Sequence, residues 1–223
     1  VGKVGSVAIS SNIKLMFSGK IDDIYLKKVK EGMRDDFTQK QQLDNYTYGP
    51  LVGVSDNLTG SYLKQVESSS KKKLKNNEVI LYVPDYIKTE KGMLQVDLDL
   101  DSSTQKNGEN IQERMIKEGD TVTINTKKGK KILNIVGVIH CFKDEMPASL
   151  NPMVTYGVLC NESTYRSICG KFSPCYVTVG VQKETIPYQT DIELSKVNTS
   201  LYFENNRVER EEQLNNLILK VIM

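Results

Sequence analysis

A long strand that is apolar on both faces constrains the fold of this chain more than any other feature. Thr121 to Thr126 alternates as a strand, Lys127-Lys128-Gly129 predicts a tight turn, and Lys130 to His140 returns as the second strand of a hairpin. The return strand is apolar at almost every position from Ile132 to Ile139, so both of its faces must be covered. We therefore expect it to lie centrally in a sheet and to anchor the core.

The composition is typical of a folded globular chain with no general attraction to nucleic acid. Of its 223 residues, 39% are hydrophobic and 26% are charged, and 30 basic side chains nearly balance 28 acidic ones. A formal charge of +2 disfavours DNA or RNA as a partner. The single histidine, His140, excludes metal sites and catalytic dyads that need several imidazoles from this chain.

The four cysteines are the candidate site residues, as candidates for disulfide bonds: Cys141, Cys160, Cys169 and Cys175. None forms a C-x-x-C pair, which disfavours a zinc ribbon or a thioredoxin-like site. Their irregular spacing fits one or two disulfides in an oxidising compartment and fits buried free thiols equally well. A bridge among the last three is geometrically reasonable, because two of them flank a predicted helix at 161–168 and the third begins the next strand. Their pairing stays open.

Catalytic signatures are missing from the sequence. His140 and Cys141 are adjacent on a predicted strand, so their side chains point to opposite faces and do not form a dyad. The chain has no G-x-G-x-x-G after a strand, no phosphate-binding loop, no H-E-x-x-H and no G-x-S-x-G. We expect no catalytic residue, no cofactor and no metal.

The run D-x-D-x-D lies on one face of a predicted half-buried strand from Leu94 to Asp101. It resembles the start of an EF-type calcium loop, but Ser102 and Gly108 stand where such a loop needs Gly and Glu. The acidic face is therefore interpreted as a solvent-facing strand edge.

Two lysine clusters are open to two interpretations. One lies at 71–75 and the other surrounds the hairpin turn at 127–131. The first cluster could contact an anionic lipid or a phosphate, and the second could contact a membrane or a partner. The simpler interpretation of both is a solvated surface.

Both ends of the sequence suggest a fragment of a longer protein. Residue 1 is Val rather than an initiator Met, and no apolar run reaches the length of a membrane-spanning helix. The segment from Asn205 to Met223 begins polar and becomes apolar, with an amphipathic stripe at 214, 217, 218, 221 and 222. It either docks on the core or leads toward a membrane.

Further elements follow from the apolar periodicity and the capping residues. We predict helices at Ile21 to Phe37 and Leu58 to Val66, and a helix after Cys160 that is capped by Asn161 and stopped by Gly170. Strands are predicted at five more places: Val4 to Ser10, Leu51 to Val54, Val79 to Val83, Thr155 to Cys160 and Cys175 to Val181.

Three stretches together resemble the extracytoplasmic domain of FtsX/MacB-type ABC transporter permeases. They are Glu78 to Pro84, then Lys117 to Ile124 with Ile132 to Ile139, then Tyr156 to Tyr165. In that family a strand precedes a variable region, a Gly-Asp-x-Val turn enters a hairpin, the return strand ends in a Val-Gly-Val step, and a further strand leads to a short helix carrying Tyr. The resemblance covers about residues 78–181 and does not extend to the cysteines.

The resemblance implies a domain without chemistry of its own. In the family, the domain lies between two membrane helices on the extracytoplasmic side of the cell membrane, and a separate cytoplasmic ATP-binding subunit hydrolyses ATP. The implied partners are the flanking transmembrane helices, that subunit, and a second permease copy or an extracytoplasmic protein. The implied roles are substrate export, partner engagement or ligand sensing.

The expected architecture is an α+β mixed domain in two lobes. A discontinuous α+β lobe would comprise 1–77 and 176–223, and an inserted β-rich lobe would comprise 78–175. A secreted or surface-anchored binding module with no transport role is the alternative function. A hydrolase that uses a cysteine or a carboxylate pair is the third and weakest interpretation.

Overall fold

In its described part, the computed structural model shows one large β-sheet with helices packed on it. The described residues are 4–10, 13–21, 26–27, 30, 40–41, 43–66, 70–83, 86–89, 92–95, 116–140, 156–179, 192 and 196. Two helices are described along their whole length, α1 (Asp56–Leu63) and α2 (Glu162–Cys169). The strands are β1 (Val4–Ile9), β2 (Ile13–Phe17), β3 (Tyr46–Gly49), β4 (Leu51–Val54), β5 (Glu78–Val83), β6 (Tyr86–Thr89), β7 (Gly92–Gln95), β8 (Thr121–Thr126), β9 (Gly129–His140), β10 (Gly157–Asn161) and β11 (Tyr176–Val179).

The main sheet has nine strands in the order β11-β1-β4-β10-β5-β9-β8-β2-β3, and β6 and β7 form a separate antiparallel hairpin. Two neighbouring pairs are parallel, namely β4 with β10 and β5 with β9, and the remaining pairs are antiparallel. The sheet is therefore mixed, and it is also curled.

The centre of the sheet is buried on both faces. Successive side chains of β5 enter different apolar clusters: Val79, Leu81 and Val83 belong to one, and Ile80 and Tyr82 belong to the other. This alternation follows from the two-residue period of a strand. Because β5 lies between β10 and β9, it has no free edge and no solvated face. It is the central strand of the nine-stranded sheet.

The two helices described along their whole length pack on opposite faces of the sheet. Tyr62 and Leu63 of α1 pack into the cluster that contains Ile80 and Tyr82. Tyr165 of α2 packs into the opposite cluster, which contains Val79. Each helix thus removes from water a face that would otherwise expose aliphatic side chains.

The predicted α+β fold in two lobes is wrong, because the described part of the chain is mostly β and is built around one nine-stranded sheet. The pairing explains this: β4 from the N-terminal segment pairs with β10, and β2 from the same segment pairs with β8. Strands from both predicted lobes therefore satisfy one another's backbone hydrogen bonds. The predicted domain boundaries, 1–77 and 176–223 against 78–175, stay a prediction.

Most strands that the sequence predicts are confirmed. The hairpin of β8 and β9 turns at Lys127-Lys128, and β9 is central, as its apolar pattern requires. Strands β1, β4, β5, β10 and β11 lie within one or two residues of their predicted bounds. The sequence does not predict strands β2, β3 and β6. Of the predicted strand at Leu94 to Asp101, Leu94 and Gln95 lie in β7 and the rest lies outside the described residues.

Several further predictions fall wholly or mainly outside the described residues. They are most of the helix at Ile21 to Phe37, the D-x-D-x-D run, Cys141 and the C-terminal amphipathic stripe. Among the residues that the structure does describe, no helix is long and apolar enough to cross a membrane.

Candidate functional site

Three of the four candidate cysteines surround one tyrosine where α2 meets the sheet. Cys160 lies in β10, Cys169 is the last residue of α2, and Cys175 directly precedes β11. The electrostatic surroundings of the Tyr165 hydroxyl include all three thiols. We call these four residues the Tyr165 cluster. Cys141 lies outside the described residues.

The start of α2 is fixed by Asn161, as the sequence predicts. The Asn161 Oδ1 atom accepts a hydrogen bond from the backbone N–H of Thr164 at 2.9 Å, which satisfies a free donor of the first turn. The Asn161 Nδ2 atom donates to the Leu74 carbonyl at 3.4 Å and to Asn76 Oδ1 at 3.2 Å. This buried side chain therefore ties α2 to the segment before β5.

The end of α2 is set by Gly170, whose φ of 83° is in the left-handed region that favours glycine. Its N–H donates to the Arg166 carbonyl at 2.8 Å, and the chain then folds back over the helix. Phe172 in the returning loop meets the Tyr165 ring edge-on, with 5.7 Å between ring centroids. The Arg166 guanidinium lies 5.6 Å from the Phe172 ring. The loop at 170–174 is thus packed against α2.

A glycine makes room for the tyrosine. A Cβ atom on Gly53 of β4 would lie 2.5 Å from the Tyr165 Cγ atom, so the ring rests directly on the backbone there. Gly53 is paired with Cys160 in the neighbouring strand, which places Cys160 beside the ring. The sequence indicates the cysteines and Tyr165 separately, and no local pattern indicates that Gly53 contacts the ring.

The described thiols are not activated nucleophiles. Burial raises the pKa of Cys160, which is 0% exposed. Desolvation also raises the pKa of Cys169, although a hydrogen bond with the Tyr165 hydroxyl opposes this shift. The pKa of Tyr165 is raised too, first by burial and then by the neighbouring cysteines. A catalytic thiolate needs a lowered pKa, so neither Cys160 nor Cys169 has the environment of one.

The two lysine clusters have ordinary surface environments. Lys127, Lys128 and Lys130 are exposed at the hairpin, and Lys131 reaches α2, where its Nζ donates to Ser167 Oγ at 2.5 Å. In the other cluster, Lys71 pairs with Glu78 across 2.6 Å. Both interpretations from the sequence stay open.

The described part of the chain contains no cluster of side chains suited to binding a metal ion. No group of three or more His, Cys, Asp or Glu side chains there could hold a metal ion. The carboxylates of the D-x-D-x-D run are not among these residues.

Comparison with known proteins adds no relative. No family model matches the chain, and no curated protein matches it.

Proposed function

We propose that this chain is the extracytoplasmic domain of an ABC transporter permease of the FtsX/MacB type. In this proposal it carries no catalytic residue, cofactor or metal. It couples ATP-driven motion of membrane helices to substrate export, partner engagement or ligand sensing.

The observation that carries the proposal is the spatial grouping of the three stretches that resemble this family. They supply β10, β5, β9 and β8, which are consecutive strands of the sheet, and β10 continues directly into α2 with Tyr165. These stretches are separated by long segments in the sequence. Their assembly into one structural block supports reading them as parts of one motif rather than as chance matches.

The mechanical character of this block also suits a domain that relays motion. The side chains of Ile80, Leu81 and Tyr82 in β5 are 0% exposed, and aliphatic clusters pack on both sides of them. Close-packed interiors have low compressibility and transmit strain. A displacement applied at one end of such a sheet would therefore move the whole block as a unit.

The proposed partners follow from the same role. They are the flanking transmembrane helices of the permease, a cytoplasmic ATP-binding subunit, and a second permease copy or an extracytoplasmic protein. The proposed location is the extracytoplasmic side of the cell membrane, and nucleic acid is not a partner.

Thiol labelling of the complete gene product tests this location. One variant would keep Cys175 as its single cysteine, with Cys141 and Cys169 changed to Ser and Cys160 changed to Ala. Because Cys175 is exposed, a membrane-impermeant maleimide should label it in intact cells, after outer-membrane permeabilisation if the host has two membranes. Labelling that appears only after lysis of the cytoplasmic membrane would contradict the proposal.

A matched variant that keeps Cys160 alone controls for folding. Cys160 is fully buried, so it should resist the reagent in intact cells and in lysates and react after denaturation. Labelled protein recovered from the medium instead of the membrane would contradict the permease proposal and favour a secreted binding module.

A further inference from the structure

The two lysine clusters are far apart in the sequence but lie at the same end of the sheet. Strands β5 and β9 are parallel neighbours, and Glu78 at the start of β5 is paired with Asn134 of β9. The cluster at 71–75 directly precedes β5. The cluster at 127–131 surrounds the turn from which β9 starts, and it precedes Asn134. Both clusters are therefore on the side from which these two strands begin.

A backbone hydrogen bond brings the two clusters close together. The Asn134 N–H donates to the Asn77 carbonyl at 2.8 Å, so the segment before β5 touches β9. Lys131 lies three residues before Asn134 in β9, which is about 10 Å along a strand. This distance is comparable with the Debye length of about 8 Å at physiological ionic strength. The lysines of both clusters therefore act together on a charged surface that approaches them.

We call the segments 71–77 and 127–131 together the basic end of the sheet. Lys71 in it pairs with Glu78 across 2.6 Å. Six further lysines of the basic end are exposed: Lys72, Lys73, Lys75, Lys127, Lys128 and Lys130. Two acidic residues begin the nearby helices, namely Asp56 in α1 and Glu162 in α2, and Glu162 pairs with Arg166. The positive charges thus outnumber the negative ones among the described residues there.

Strand β1 starts from the side of the basic end. Val7 of β1 is paired with Val54 of β4, and Val54 is paired with Asn161 of β10. The preceding residue of β10, Cys160, is paired with Val79 near the start of β5. Because β1 is antiparallel to β4 and β10 is antiparallel to β5, while β4 and β10 are parallel, β1 runs in the same direction as β5. A segment that precedes β1 therefore enters the sheet from the side of the basic end.

This position identifies the partner, and the step rests on the proposed function. In the proposed permease a transmembrane helix precedes the domain, so the chain passes from the membrane toward β1 and the basic end faces the membrane surface. Lysines close to a membrane are attracted by anionic headgroups. We infer that the basic end binds the anionic phospholipid headgroups of the membrane that carries the domain.

Flotation with lipid vesicles tests the inference on the 223-residue chain. One set of vesicles contains phosphatidylcholine and phosphatidylglycerol in equal amounts, and the other contains phosphatidylcholine alone. We expect binding to the vesicles that contain phosphatidylglycerol, weakening as salt is added because the lysines are exposed. Failure of the wild-type chain to bind these vesicles, or equal binding to both sets, would overturn the inference.

A matched pair of variants separates the basic end from net charge. The basic-end variant carries four substitutions: Lys72→Gln, Lys73→Gln, Lys127→Gln and Lys128→Gln. The control variant loses the same charge at four exposed lysines outside the basic end: Lys20→Gln, Lys64→Gln, Lys117→Gln and Lys171→Gln. The basic-end variant should bind the anionic vesicles at least about tenfold more weakly than wild type, and the control less than about threefold more weakly.

A third variant, with Arg at the four basic-end positions, keeps the charge and should bind like wild type. All variants should keep the wild-type circular dichroism spectrum, since the substituted side chains are exposed. Equal binding by the basic-end and control variants would overturn the inference and leave an acidic protein as the partner that this charge would suit.

The vesicle experiment and the thiol labelling fail independently. If labelling finds Cys175 on the cytoplasmic side while the basic-end variant still loses vesicle binding, the permease proposal falls and the lipid contact stands. If labelling finds Cys175 outside the cell membrane while the basic-end variant binds like wild type, the lipid contact falls and the permease proposal stands.

Discussion

The ring of Tyr165 lies on the backbone of Gly53, at a position where any Cβ atom would come within 2.5 Å of the Tyr165 Cγ atom. This contact joins α2 to β4, and it joins a residue of the N-terminal segment to one more than a hundred positions later in the chain. It fixes the height of α2 above the sheet and gathers the cysteines around the Tyr165 hydroxyl.

Gly53→Ala is expected to destabilise the fold by about 1–3 kcal/mol, because the added methyl group overpacks a filled site. Urea unfolding would measure the loss. Val177→Ala on the exposed face of the edge strand β11 is the control and should change the free energy of unfolding by less than about 0.5 kcal/mol.

A double-mutant cycle with Tyr165→Ala separates this contact from general damage. This substitution removes the Cγ and Cδ2 atoms that the new methyl group would meet, so the two substitutions together should cost less than the sum of their separate effects. If the two changes in the free energy of unfolding are additive, the residue at position 53 does not interact with the Tyr165 ring.

The side-chain amide of Asn45 is expected to contribute to the stability of the fold in addition to the residue's left-handed backbone conformation. Its φ of 50° lies in the left-handed region, its Oδ1 accepts from the Ile21 N–H at 2.9 Å, and its Nδ2 donates to the carbonyls of Phe17 and Gly19. Asn45→Ala loses both features and should cost about 2–3 kcal/mol. Asn45→Gly keeps the angle and should cost less. A wild-type unfolding midpoint for Asn45→Gly would show that the amide bonds contribute nothing.

Glu78 is expected to give the fold a pH-dependent contribution. Desolvation opposes ionisation, but bonds from Lys71 Nζ at 2.6 Å and the Lys75 N–H at 2.9 Å outweigh it and lower the pKa of Glu78 below 4.5. A lowered folded-state pKa adds stability above the unfolded-state value, and that stability is lost as the pH falls through the folded-state value.

Glu78→Gln should therefore cost about 1 kcal/mol at pH 7, a figure reduced by the partial exposure of Lys71. The difference from wild type should shrink as the pH falls below about 4. Urea unfolding at several pH values would test this, with Lys72→Gln at an exposed site as the control. A difference that is constant between pH 7 and pH 3 would contradict the role of the carboxylate.

Thiol reactivity in the reduced chain tests the absence of cysteine catalysis among the described residues. Cys160 should react with Ellman's reagent roughly two orders of magnitude or more slowly than exposed Cys175, because it reacts only when the core opens. The raised pKa of Cys169 predicts no rapid phase from that thiol. A thiol that reacts fastest at mildly acidic pH would instead reveal an activated nucleophile and favour the hydrolase interpretation.

Local signals in the sequence predicted the elements whose structure is locally determined. The β8–β9 hairpin follows from its turn and its apolar pattern, and α2 follows from Asn161 at its start and Gly170 at its end. Strand β3 was missed because Tyr48-Gly49-Pro50 is typical of a chain break, whereas its strand geometry comes from pairing with β2.

The fold class was wrong for a non-local reason. Periodicity shows that a segment is a strand, but it does not show which distant strand it pairs with. The parallel pairing of β4 with β10 joins segments more than a hundred residues apart, and that pairing merges the two predicted lobes into one sheet. The contact between Gly53 and Tyr165 depends on the same pairing, so no local pattern in the sequence indicates this part of the site.

The most direct test of the permease account is purification of the complete gene product, affinity-tagged and at native expression level, from its own membranes in mild detergent. The account predicts that it fractionates with the membrane and that an ATP-binding subunit copurifies in a fixed ratio and hydrolyses ATP. A gene product that is recovered without membrane helices on both sides of this domain, and without an associated ATPase, would contradict the account.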